Sequence, residues 1–247
     1  MFDLLISPFT EFAFMRRALA GCLALALGAT PVGVFLLLRR MSLMGDAMSH
    51  AILPGAALGY LAFGLSLGAM TVGGIVAGLV VVFAAGLVTR ASVLKEDASL
   101  AAFYLLSLAA GVMIVSLRGQ NLDLLHVLFG SVLGLDDASL LLIAGIASVT
   151  LVSLALLFRP LVMECFDPAF LRGVSRWSPV AHYGFLMLVV VNLVSGFHAL
   201  GTLMAVGIMI LPSAAARLWA KSLPMLLLLA VLFAFGSGAS GLLLSFH

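Results

Sequence analysis

Charge is scarce in this chain: 9% of its 247 residues are Asp, Glu, Lys or Arg, against 64% hydrophobic residues and a mean hydropathy of +1.29. Soluble domains carry about 25% charged residues, so the composition excludes one and points to an integral membrane protein. The net charge of +2 offers no basic surface for nucleic acid. Cysteine is as rare. Cys22 falls within an expected span and Cys165 in an expected cytoplasmic connection, too far apart in space to bridge, so neither a disulfide framework nor a cysteine metal cluster follows. The chain also lacks a G-x-x-x-x-G-K-[ST] phosphate loop and any Gly-rich strand-to-helix nucleotide signature. If it serves ATP-driven transport, the ATPase is a separate subunit. No nucleophile has a positioned base, so neither an enzyme nor a tightly bound cofactor is expected. The first dozen residues carry Asp3 and Glu11 and no cleavable signal pattern.

What is abundant is apolar length. Stretches of about 20 residues, enough to cross a bilayer core, recur at about Phe14–Leu38, Leu43–Phe63, Ala69–Val88, Leu100–Leu117, Leu140–Phe158, Val180–Leu193, Gly201–Trp219 and Leu223–Leu244. The expected fold is an all-α polytopic membrane bundle of about eight spans in one domain, residues 1–247. Leu124–Leu135 is too short to span and predicts a half-helix or re-entrant element on the outer side. If the Arg39-Arg40 connection is cytoplasmic, parity places nine of the 12 basic residues on that side, as the positive-inside rule requires. The Gly55/Gly59 and Gly74/Gly78 spacings predict close helix packing.

Within the second stretch, Asp46 and His50 stand four residues apart, on one face of a helix. Ionisable groups in hydrocarbon are costly and mark functional sites. A carboxylate and an imidazole so placed can hold a divalent metal ion; the alternative is a hydrogen-bonded pair that fixes helix packing. Pro54, one turn on, lacks the N–H that would bond the His50 carbonyl, and predicts a kink.

Other candidates are weaker. His198, between Gly196 and Gly201, sits at the outer end of a span, and Asp123 with His126 lie in the half-helix; each is a candidate for metal entry or an ordinary polar loop residue. His182, near the cytoplasmic mouth, supports no site. The connection from Arg159 to Pro179 contains Phe166-Asp167-Pro168-Ala169-Phe170-Leu171-Arg172-Gly173. Asp167-Pro168 reads as a helix start and Gly173 as its stop. Such a short helix suits a groove on a soluble partner, or else lies on the lipid surface.

The run Arg39-Arg40-Met41-Ser42-Leu43-Met44-Gly45-Asp46-Ala47-Met48-Ser49-His50-Ala51-Ile52-Leu53-Pro54-Gly55 closely resembles the signature of the ZnuB-like family, the membrane permeases of bacterial zinc, manganese and iron ABC importers. Lys95-Glu96-Asp97-Ala98, Leu128 to Leu133, Phe166-Asp167-Pro168 with Arg172-Gly173, and Leu200 to Leu218 resemble further parts of its pattern. The resemblance implies a type II ABC importer fold in the plasma (inner) membrane of a prokaryote. It also implies a second permease copy, two cytoplasmic ATP-binding subunits, an extracytoplasmic metal-binding protein, and a metal path lined by Asp46 and His50. The segment Phe166, Asp167, Pro168, Phe170, Leu171, Arg172 and Gly173 would couple to the ATPase. Ala169 and His198 depart from the family's usual glutamate and glutamine. Competing readings are a permease for a siderophore or cobalamin chelate, and a proton-coupled secondary carrier using the same pair.

Overall fold

The computed structural model describes residues 12–64, 66–93, 96–117, 135–167, 170, 171, 173 and 177–246. Seven helices account for nearly all of them: α1 (Ala13–Leu38), α2 (Ser42–Phe63), α3 (Leu67–Ala91), α4 (Glu96–Leu117), α5 (Asp137–Phe166), α6 (Ser178–Arg217) and α7 (Leu223–Phe246). By length and apolar composition α1, α3, α5, α6 and α7 are able to cross a membrane.

The helices begin and end where local chemistry dictates. Ser66 caps α3 by accepting from the Ala69 N–H, and Asp136 caps α5 by accepting from the Ser139 N–H at 3.0 Å. These bonds satisfy first-turn donors that have no intrahelical partner. The same contacts with Ser139 hold the Asp136 carboxyl below its ordinary range. Asp137 in that first turn pairs with Arg17 of α1 at 3.1 Å.

The expected spans Val180–Leu193 and Gly201–Trp219 merge into one element, α6, which ends at Arg217, two residues short of the expected Trp219, and is broken at Gly201 (φ 74°, ψ 174°). A Cβ on Gly196 would lie 2.7 Å from that of Ala205. Nine residues of straight helix cover about 13.5 Å, so the chain folds back at Gly201, and only glycine adopts that backbone without strain. The structure also corrects the expected end of the fifth span. In place of a connection beginning at Arg159, α5 continues through Pro160 to Phe166, because the added turns bury Leu161 and Glu164.

The main core joins α1, α2 and α6 through Phe35, Met48, Ile52, Phe185, Val190 and Met209. Backbones approach closely where α2 crosses α3: a Cβ on Gly55 would strike the Gly73 carbonyl, and one on Gly59 would lie 2.5 Å from the Ala69 carbonyl oxygen. Small residues allow this approach, which supplies dispersion contacts where lipid removes the hydrophobic drive. Buried hydroxyls and an amide add interhelical bonds. Asn192 of α6 donates to Thr150 of α5 at 2.8 Å, and Ser213 of α6 donates to the Thr30 carbonyl of α1 at 3.1 Å.

Candidate metal site and its supporting cluster

α2 carries Asp46 and His50 one turn apart, as the spacing requires. His50 Nε2 lies 3.8 Å from Asp46 Oδ1, too far for a hydrogen bond. Yet two ligand atoms about 2.1 Å from one metal ion can stand up to roughly 4.2 Å apart. The side chain of Asp46 is 63% exposed and that of His50 31%. Tyr104 of α4 stacks on the imidazole with centroids 6.4 Å apart and planes 28° from parallel. Nδ1 of His50 is buried and has no hydrogen-bond partner. Asp46 borders a cavity of about 270 Å³ that is also lined by Arg40, Met41, Met44 and Tyr104. No group of three or more His, Cys, Asp or Glu side chains converges among the described residues. Among the described residues, one chain therefore brings two strong ligands to this face.

α2 runs unbroken through Pro54. The Ala51 carbonyl, three residues before the proline, accepts a hydrogen bond from Ser107 of α4 at 3.0 Å. A proline ring crowds the carbonyls of the preceding turn, and here a neighbouring helix satisfies one of them.

His198 belongs to α6 and is half-buried, rather than a loop residue. Its Nδ1–H donates to the Val194 carbonyl at 2.8 Å, and Nε2 lies 3.4 Å from Thr71 Oγ1. The Thr71 hydroxyl donates to the Leu67 carbonyl at 2.6 Å. None of these contacts joins His198 to Asp46 or His50. Asp123 and His126, with the half-helix Leu124–Leu135 except Leu135, lie outside the described residues, as do Pro168 and Arg172.

In the Phe166–Gly173 segment the expected helix start is realised. Asp167 Oδ1 accepts from the Phe170 N–H at 2.9 Å, and the Leu171 N–H donates to the Asp167 carbonyl. Phe166 is 86% and Phe170 53% exposed, whereas Leu171 is buried. Gly173 is exposed.

Sequence reasoning missed a buried ionic cluster. Arg39, at the end of α1, sets Nη2 2.6 Å from Oε1 of Glu164 in α5, and both side chains are under 8% exposed. His182 of α6 joins them, its Nδ1 3.0 Å from the guanidinium and 3.3 Å from the carboxylate. The guanidinium also lies 5.0 Å from the Phe185 ring centroid, close enough for a cation–π contact. Nη1 of Arg39 and Oε2 of Glu164 remain buried without partners. The one available signal was Glu164 itself, an acid in an otherwise apolar run. Arg39 precedes the start of α2 at Ser42 and Glu164 precedes Asp167, so the pair ties together the chain segments that lead into those two elements.

Among the described residues, five helices long and apolar enough to cross a membrane, with an acid and a histidine paired on a sixth helix, define a multi-pass membrane protein. The ABC 3 transport family matches residues 11–247, and the chain belongs to it. It is a permease subunit and not an enzyme; ATP hydrolysis lies on a separate subunit. Similar proteins include the manganese import system permease protein ScaB of Streptococcus parasanguinis, 34% identical over 224 residues, which span 91% of this chain and 79% of that one. The chelated iron transport system membrane protein YfeD of Yersinia pestis is 31% identical over 247 residues, all of this chain and 82% of its own. Among solved structures, PsaBC from Streptococcus pneumoniae in complex with Fab superposes with a TM-score of 0.82 at 28% identity, covering 99% of this chain and 92% of that one.

Proposed function

We propose that this chain is the membrane permease of a bacterial ABC importer for a divalent first-row metal ion, with Asp46 and His50 lining the path. The observation that carries this reading is the exposed Asp46 carboxylate beside His50 on a helix embedded in an apolar bundle. An intramembrane carboxylate demands a water-filled path or a partner, and this pair offers oxygen and nitrogen donors to a cation. The names of the relatives favour manganese or iron over zinc. A bare ion fits better than a chelate, since the cavity beside Asp46, at about 270 Å³, falls below the usual 300–1,000 Å³ of sites for drug-sized ligands.

The same reading makes the Phe166–Gly173 segment the contact to the cytoplasmic ATPase, and counts the two arms of α6 separately to reach eight crossings. Delivery falls to an extracytoplasmic metal-binding protein, and Pro54, which lacks the N–H for its own turn, is the point about which α2 bends during transport. The test is reconstitution with the cognate ATPase and measurement of manganese uptake. Phe170→Asp places a charge in the docking groove and is expected to cut ATP-driven uptake at least tenfold while the permease stays inserted. Wild-type ATPase binding and uptake by that variant would remove the segment from the coupling role.

A second copy completes the site in this proposal. Leu43, Asp46, His50 and Ala57 share one stripe of α2, and Leu43 is 85% exposed. Two such stripes meeting about a two-fold axis supply two carboxylates and two imidazoles, matching the roughly four ligands a dehydrated cation needs. Leu43→Cys is expected to cross-link membrane-embedded chains into a dimer, read as doubled mass on a non-reducing gel. A uniformly monomeric product from active transporter contradicts the shared site.

A further inference from the structure

α1 ends in a way that glycine normally makes possible. The Arg40 N–H donates to the Leu37 carbonyl at 3.1 Å and the Met41 N–H to the Leu36 carbonyl at 2.9 Å, the paired bonds of a Schellman C-cap. This geometry sets Arg40 at φ 59°, and among the described residues no other non-glycine residue has positive φ. A side chain there strains the backbone relative to glycine. Such strain persists only where surrounding structure holds it, and it concentrates at functional positions.

Arg40 is exposed, and it borders the same cavity of about 270 Å³ as Asp46, with Met41, Met44 and Tyr104 also in the lining. One compartment thus holds a fixed cation at the end bearing Arg39 and a carboxylate further along α2. Arg39 is committed to Glu164, which leaves Arg40 as the basic group of the Arg39-Arg40 pair that addresses this space.

We infer that Arg40 is an electrostatic gate on the Asp46 compartment, its guanidinium opposing the passage of a metal cation between Asp46 and the basic end of the bundle. The inference deepens the metal-path proposal and rests on it. A glycine there, though easier for the backbone, would leave the compartment open to a divalent ion. Repulsion between a unit charge and a divalent cation about 10 Å apart, at a dielectric between protein-surface and bulk-water values, changes a crossing rate by about tenfold.

The experiment uses the permease assembled with its ATPase in liposomes loaded with Mn²⁺. ATP-independent efflux is followed together with the thermal unfolding midpoint. Arg40→Gly is expected to raise efflux about tenfold while its unfolding midpoint stays level or rises, a combination that a purely structural arginine does not produce. Arg40→Lys keeps both the charge and the strained backbone, and is expected to hold Mn²⁺ as the wild type does. Should glycine lower the yield of protein, Arg40→Asn, which also tolerates the left-handed conformation, takes its place. Wild-type efflux from the glycine and asparagine variants overturns the gate, and so does equal leakage from the lysine variant. ATP-driven uptake by Asp46→Asn is measured in parallel to tell the two readings apart. A dead Asp46→Asn with a tight Arg40→Gly removes the gate alone, whereas a fully active Asp46→Asn removes the metal path and the gate together.

Discussion

Asp46→Asn is expected to abolish metal uptake while leaving the permease assembled in the membrane, and His50→Ala to do the same. The asparagine keeps the size of the carboxylate and one acceptor oxygen but removes its charge, and alanine removes the nitrogen donor. The 3.8 Å separation of Nε2 and Oδ1 already lies within bridging distance of a single ion, so each substitution weakens one of the two ligands that a chain supplies. Transported ions must also leave, which calls for a site of few ligands that a small motion disassembles. Uptake of labelled manganese into cells or liposomes reads both effects. Wild-type rates in both variants would show the pair to be a packing contact and sink the proposed path.

The second large effect is on stability. Arg39→Leu is expected to destabilise the bundle by about 3–5 kcal/mol, the usual result of removing one member of a buried ion pair. The cost comes mainly from what remains: Glu164, at 6% exposure, loses the guanidinium that partners its Oε1, with Oε2 already unpartnered. Removing both charges, as Arg39→Leu with Glu164→Leu, should recover much of the loss, because paired buried charges and well-packed apolar residues are often nearly equivalent. Unfolding midpoints in detergent for the two single variants and the double distinguish the cases. A double variant no more stable than Arg39→Leu would mean that the cluster stabilises through packing rather than charge.

The sequence revealed those features whose causes are local. Asp46 and His50 needed only the pitch of a helix to meet on one face, and Asp167 needed only its own turn to find the Phe170 N–H. Long apolar runs between polar breaks located most helix ends to within a few residues. Tertiary features were hidden. Arg39, Glu164 and His182 come from three helices, and no spacing rule brings them together. Arg159 and Pro160 suggested a connection, yet burial of Leu161 and the Glu164 pairing carry α5 onward to Phe166. Gly201 was placed at the start of a span, while its reversal shows only in its dihedrals and in the meeting of Gly196 with Ala205. Arg40 was counted as a basic flank, and its left-handed backbone could not be read from residue type, since arginine is seldom found there.

The Arg39–Glu164 pair has a further meaning in the order of synthesis. α1 is made well before α5, so Arg39 exists first as an unmatched cation at the trailing end of a newly inserted helix. Basic residues in that position retain their flank on the cytoplasmic side. Only when the later helix arrives does Glu164 neutralise the charge and draw it into the bundle. If the Arg39-Arg40 connection is cytoplasmic, one side chain orients the nascent protein and afterwards becomes part of its interior, and a variant that preserves the mature pair by exchanging Arg39 and Glu164 would place an acid where the growing chain requires a base.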